Sequence, residues 1–155
     1  LDDLPDVDII LVPIGGGGLV SGIAIAVKEK NPKVKIYGVE PHLSNSMYLS
    51  IQNSKISELS KIETIADGLR STKPGNYAFD IVQKYVDNII LVEEDDILEA
   101  MRSVIIKEKL IVEPSGAVTL AALQSHKVPG KRKKIVPIIS GGNIDMQLLV
   151  KLFVT

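Results

Sequence analysis

Residues 8–14, DIILVPI, form an unbroken apolar run. That is the pattern of a strand covered on both faces of a parallel sheet, not the alternation of a half-exposed one. Four glycines follow. Then comes LVSGIAIAVKEKNP, in which Leu19, Ile23, Ala26 and Val27 recur at helical spacing and Pro32 ends the run. KVKIYGVEP (33–41) predicts a second strand closed by Pro41. Together these make a β-α-β unit with the glycine turn at the C-terminal end of its first strand, the edge at which open α/β sheets bind ligands. Further on, LSNSMYLSIQN (43–53) predicts a helix capped near Ser44 or Asn45. A loop around Gly68 to Gly75 leads into a helix through Tyr85. NIILVEEDDILEAMRSVIIKEK reads as a strand and then a helix opened by Asp95 or Asp96, with Glu99 completing an approximate capping box. LIVEPSGAVTLAALQS predicts a short strand and a small-residue helix beginning near Ser115. KKIVPIISGGNID predicts a last apolar strand ending in Ser140, Gly141 and Gly142. The expected fold class is α/β, an open, mostly parallel twisted sheet with flanking helices. No internal repeat, low-complexity stretch or linker interrupts it, and the basic run Lys131 to Lys134 reads as a solvated loop.

Composition narrows the function classes. A length of 155 residues suffices for one domain with a real core, and 45% hydrophobic residues can fill it. A net charge of -1 supplies no global field for nucleic acid or an anionic membrane. Tyr48, Tyr77 and Phe79 are too sparse for a base-stacking surface. Met47, Leu49 and Ile51 read as core. There is no cysteine, hence no disulfide, thiolate nucleophile or cysteine metal site. His42 and His126 lie far apart with no carboxylate partner in view. No apolar run reaches the ~18 residues of a membrane span, and nothing has the form of a signal peptide; the expected location is cytoplasmic. The chain opens on Leu1 and its first strand starts at Ile9, as in a piece of a longer polypeptide.

The glycine turn is the strongest chemical signal. A strand, a glycine turn and a helix N-terminus make an anion site, because unpaired amides point outward there and the helix dipole adds positive charge. The amides of Gly15, Gly16, Gly17, Gly18 and Leu19 are the candidates. A plain tight turn is the bland alternative, but such a turn rarely needs four glycines. A dinucleotide fingerprint needs G-x-G-x-x-G. Counted from Gly15 its last position is Val20, and from Gly16 it is Ser21, so it fails, although Glu40 mimics the ribose-binding acid. A phosphate-binding P-loop needs G-K-[ST], and Leu19 follows Gly18 instead.

Three stretches then read together: PIGGGGLVSGIAIAVKE, VEPSGAVTLAAL and SGGNID, with TIADGLRSTKPGNYAFDIV between the first two. In order and spacing they resemble the C-terminal half of the pyridoxal-phosphate-dependent serine/threonine dehydratase and serine racemase family, of fold-type II. The resemblance covers about Val7 to Asp145. Cysteine synthase, threonine synthase and tryptophan synthase β share the glycine loop but differ at the final serine-glycine motif. The resemblance implies that Gly15 to Gly18 and Leu19 hold the phosphate of pyridoxal 5'-phosphate and that the hydroxyl of Ser140 meets its pyridine nitrogen. A serine there does not enforce a protonated ring as a carboxylate would, so the ring is a more moderate electron sink. Glu113 and Gly68 match positions beside the ring; a solvated or helix-capping glutamate and a turn glycine are equally good readings of the two. In the racemase branch a divalent ion is bound by residues matching Glu40, the carbonyl of Ser44, and Ser46. The family's aspartate is replaced by Ser46, which removes a charge and leaves weaker divalent binding, a monovalent ion, or none.

The resemblance also says what is missing. The family's serine-phenylalanine-lysine motif, which bonds the cofactor covalently, has no counterpart here, and Lys28, Lys30 and Lys33 read as surface residues. The small domain that closes over substrate has none either. Residues 1–155 thus correspond to the C-terminal part of the large domain, with no catalytic residue of their own. The implied activity of the complete protein is conversion of L-threonine or L-serine to a 2-oxo acid and ammonia, with isoleucine biosynthesis among its settings. Serine racemase is the neighbouring alternative. A non-catalytic chain that binds a phosphate or partner is the alternative of another class, and a nicotinamide-binding domain is disfavoured by its failed fingerprint. Expected partners are the amino-acid substrate, the missing N-terminal portion or a second polypeptide, and further copies in a homodimer or tetramer.

Overall fold

A computed structural model of the chain describes residues 1–130 and 132–154; Lys131, which opens the basic run, and Thr155 lie outside the described residues. Strands β1 (Ile9–Pro13), β2 (Lys35–Pro41), β3 (Asn88–Val92) and β4 (Ile135–Pro137) form one sheet in the order β3-β2-β1-β4. All three pairings are parallel: Ile9 lies opposite Lys35 and Ile135, and Tyr37 opposite Asn88. Among the described residues six helices connect and flank the strands: α1 (Gly18–Lys30), α2 (Ser46–Gln52), α3 (Asn76–Tyr85), α4 (Glu94–Glu108), α5 (Pro114–Gln124) and α6 (Met146–Lys151). A 3-10 turn, Asp67–Leu69, lies in the long connection before α3. Among the described residues no helix is long and apolar enough to cross a membrane.

Successive strand side chains point to opposite faces, and here both faces are covered. Ile10 and Val12 of β1 enter a core with Val20, Ala24 and Val27 of α1 and Phe79 and Val82 of α3. Ile9 and Leu11 enter the other, with Ile97 and Met101 of α4 and Ala117, Val118 and Ala121 of α5. This double burial is why β1 reads as an unbroken apolar run.

Three local expectations are corrected, and one helix is added. Leu110–Val112 form no strand: Leu110 and Ile111 are exposed, and Val112 is buried beneath α5 without a ladder partner. Helix α4 starts earlier than the acidic run suggested: its N-cap is Glu93, two residues before Asp95 and three before Asp96, and Asp96 closes the capping box; Asp96 and Glu99 do not form it. Helix α2 is preceded by Asn45, whose side chain makes no capping bond. Helix α6, which the pattern did not reveal, is capped by Asp145 Oδ1, accepting the Gln147 N–H at 2.6 Å. Within the basic run, Arg132, Lys133 and Lys134 are exposed, and Lys133 Nζ pairs with Asp8 Oδ1 at 3.0 Å.

Candidate functional site

Ile14, fully buried, donates its N–H to the Val39 carbonyl at 2.9 Å and so extends β1 to the edge of the glycine turn. The four glycines are there for different reasons. Gly17 is the N-cap of α1, with φ 94°, a left-handed conformation that disfavours a side chain. A Cβ on it would lie 2.7 Å from Met47 Cε and 2.8 Å from Ala78 Cβ. A Cβ on Gly15 would press on Leu69 Cα at 3.2 Å and on the Gly68 carbonyl at 3.3 Å. Packing and backbone therefore require glycine at 17, and packing crowds any side chain at 15. Packing makes no such demand at the other two: a Cβ on Gly16 would meet only Ser71 Oγ, at 3.7 Å, and one on Gly18 would meet nothing within 4 Å. Open space lies beside them, at the amides of the first turn of α1, which have no partners within the helix. That turn carries no acidic residue, so the positive end of the helix dipole is not offset and suits an anion.

The open space is a cavity of about 230 Å³. It gathers residues far apart in sequence: Gly15 to Gly18 and Leu19, Gly68, Glu113 and Ser140 all line it, as do Pro13, Leu69 and Ser115. Ser115 could have been read from the EPSG turn that opens α5; Leu69 carried no signal. The walls are tied by backbone. Gly75 N–H donates to the Gly16 carbonyl at 3.1 Å, and Glu113 N–H to the Gly141 carbonyl at 3.2 Å. Ser115 Oγ accepts the Gly68 N–H at 2.9 Å. Among the described residues the Ser140 hydroxyl makes no hydrogen bond, and no lysine lines the cavity. A second cavity of about 230 Å³, between α2, α3 and β3, contains none of the expected site residues.

Glu40, Ser44 and Ser46 lie apart from this cavity. Glu40 is buried at the end of β2, its Oε1 accepting the Met47 N–H at 3.0 Å and its Oε2 the Tyr48 N–H at 2.7 Å. Burial pushes its carboxyl up to about 8, and the two amides oppose that rise. Ser44 Oγ donates to the Leu69 carbonyl at 2.9 Å, and Ser46 Oγ is buried without a partner. Glu40 and Ser44 support the site from behind: Glu40 accepts the first-turn amides of α2, which carries Met47 under Gly17, and Ser44 holds the Leu69 carbonyl. Among the described residues no three His, Cys, Asp or Glu side chains come together to hold a metal ion.

The model of the pyridoxal-phosphate dependent enzyme family matches residues 1–141. The chain belongs to this family. It is 46% identical over 149 residues to the L-threonine ammonia-lyase of Geobacter sulfurreducens, covering 96% of this chain and 37% of that protein. It is 40% identical to the serine racemase of Dictyostelium discoideum, covering 98% of this chain and 48% of the racemase. Among solved structures, the processed form of threonine deaminase isoform 2 from Solanum lycopersicum matches with a TM-score of 0.90 and 36% identity, over 98% of this chain and 45% of that one. As a member of the pyridoxal-phosphate dependent enzymes, the chain spans less than half the length of these relatives. The parallel sheet with helices on both faces is their fold.

Proposed function

We propose that this chain is the cofactor-anchoring part of a pyridoxal-phosphate-dependent threonine/serine dehydratase. One observation carries the reading: the tetraglycine turn with the N-terminus of α1, and Ser140, line the same cavity although they are distant in sequence. The residues present fit the cofactor. Gly16 and Gly18 leave a cradle that no side chain fills, and the amides of the first turn of α1 suit a phosphate. Across the cavity the Ser140 hydroxyl is free to pair with a ring nitrogen. Bound there, pyridoxal phosphate supplies an electron sink for the charge left when a substrate Cα–H is broken. In this arrangement α1 would hold the phosphate, the Ser140 hydroxyl would pair with the ring nitrogen without supplying a charge, and Gly68 and Leu69 would line the ring. Among the described residues no lysine lines the cavity, so a lysine to bond the cofactor would have to come from the rest of the protein, in the same or a second polypeptide.

For a divalent cation the donor set at Glu40, Ser44 and Ser46 does not fit. Its one carboxylate already accepts two amides, and Ser46 is neutral, whereas hard divalent ions need several oxygens with anionic charge. No step is assigned to a cation.

The test is made on the complete protein, this chain joined to its missing portion. Supplied with pyridoxal phosphate and L-threonine, it releases ammonia and a 2-oxo acid, and Ser140→Ala slows this. Formation of D-serine from L-serine faster than ammonia release would move the assignment to the racemase, in line with the 40% identity to the Dictyostelium protein. No cofactor uptake and no ammonia would overturn both. Size-exclusion chromatography of the same protein tests the expected homodimer or tetramer.

A further inference from the structure

Glu113 is the N-cap of α5, yet its side chain makes no bond to its own helix. A carboxylate at that position is placed to accept the amide of the second or third helical residue. Here Oε2 reaches away and accepts the Asn143 N–H at 2.9 Å, while the Glu113 N–H donates to the Gly141 carbonyl at 3.2 Å. The turn after Ser140 is thus held twice by one residue. It is held closely: a Cβ on Gly141 would lie 2.6 Å from Glu113 Oε1, and a Cβ on Gly116, in the same first turn of α5, would lie 2.9 Å from the Gly141 carbonyl.

The turn needs such holding. Residues 138–145 belong to no helix or strand, and Ser140 is exposed within them. Upstream, the Ile138 N–H donates to the Leu11 carbonyl and Thr119 Oγ1 donates to the Ile138 carbonyl. Downstream of Ser140, Glu113 supplies the bonds at Gly141 and Asn143. On its other side the Glu113 carboxylate approaches the Gly68 turn, with Oε1 3.8 Å from where a Cβ of Gly68 would lie, and Ser115 holds that turn through the Gly68 N–H. The start of α5 thus holds both the Gly68 turn and the turn after Ser140.

We infer that Glu113 is a positioning residue: its side chain fixes the Gly141–Asn143 backbone so that the Ser140 hydroxyl is held over the cavity, and it does not act on the bound group through its charge. The part of this that concerns a ligand rests on the function proposed above; the restraint on the turn does not.

The experiment uses the complete protein as wild type, Glu113→Ala, Glu113→Gln, Ser140→Ala and the Glu113→Ala/Ser140→Ala double variant. Hydrogen exchange of the apo protein is read over residues 138–146. Glu113→Ala speeds exchange there by roughly tenfold or more, the scale of one lost hydrogen bond to a charged acceptor. Glu113→Gln, whose amide oxygen can accept the same N–H, restores most of the protection. Titration with pyridoxal phosphate, followed by its absorbance, gives the second readout. Glu113→Ala weakens uptake, Glu113→Gln rescues it, and Glu113→Ala adds nothing once Ser140 is already alanine. Glu113→Gln as damaging as Glu113→Ala would show that the charge matters and overturn the inference. Additive losses in the double variant, or unchanged exchange in Glu113→Ala, would overturn it too. If wild type takes up no pyridoxal phosphate, the proposed function falls, and the exchange comparison alone decides whether Glu113 restrains the turn.

Discussion

Two glycines in one turn can be separated by substitution, because one serves the fold and the other the cavity. Gly17→Ala forces a side chain onto a left-handed backbone and against Met47 and Ala78. A loss of about 1–3 kcal/mol is expected from the urea unfolding midpoint. Gly18→Ala places a methyl in open space at the first helical position. It leaves stability unchanged or slightly raised, while pyridoxal phosphate uptake by the complete protein weakens. The sequence shows four glycines and cannot separate them, since the atoms that crowd Gly17 come from α2 and α3. Glu40 makes the second case at this scale. Its carboxyl stands at about 8 in the folded chain against 4.5 ordinarily, first because it is buried, with the Tyr48 and Met47 amides opposing. The folded state therefore binds this proton more tightly than the unfolded one. Its contribution to stability is fully present below about 4.5 and is lost as pH rises to about 8. Urea midpoints at pH 5 and pH 8 should fall further in wild type than in Glu40→Gln, and equal falls would refute this account of the site.

At the scale of elements, burial decides which patterns can be read. Strands β1 and β2 lie at the centre of the sheet, and their apolar runs announce them. Strand β4 is an edge strand of three residues ending at Pro137, which has no amide to donate to a ladder; the apolar run predicted a longer one. Leu110–Val112 have the composition of a strand but no neighbour to pair with, and only tertiary position reveals that. The sequence places the start of α4 too late because Asp95 and Asp96 are the better capping residue types, whereas the N-cap is Glu93 and Asp96 closes the box from inside the helix. Helix α5 was legible because its small residues are needed all round: it lies between α4 and the sheet with Ala117, Ala121 and Ala122 fully buried. Ala121→Leu overfills that space. It should cost about 1–3 kcal/mol, read as a lower urea midpoint with an unchanged denaturant slope. Because the start of α5 also holds the Gly68 turn and the turn after Ser140, the same variant should weaken cofactor uptake in the complete protein.

Over the whole molecule, most of the exposed large apolar residues fall in two segments, with Leu19, Leu43, Tyr77 and Ile139 exposed elsewhere. Ile106, Leu110 and Ile111 lie at and after the end of α4, and Met146, Val150, Phe153 and Val154 on and after α6. The two groups are tied together. Arg102 Nε of α4 donates to the Leu152 carbonyl at 2.6 Å, and the backbone at Gly142 approaches Ile111 so closely that a Cβ there would lie 2.8 Å from its carbonyl. A concentrated exposed apolar surface of this kind marks a contact with something else. Of these residues the sequence pattern singles out only Leu110 and Ile111, and it reads them as a strand because they are apolar. The relatives are more than twice as long as this chain, and we predict that the rest of the protein covers this surface. The chain on its own should therefore bind an apolar dye such as ANS and associate as its concentration rises. Adding the remaining portion, in the same or a separate polypeptide, should suppress both. A chain that stays monomeric and dye-silent alone would mean that this surface is satisfied by itself. Replacing Ile111 and Phe153 together by serine decides between a partner face and a loosened fold. At a partner face the double change abolishes association and leaves the unfolding midpoint nearly unchanged, because both side chains are about half exposed, at 51% and 48%.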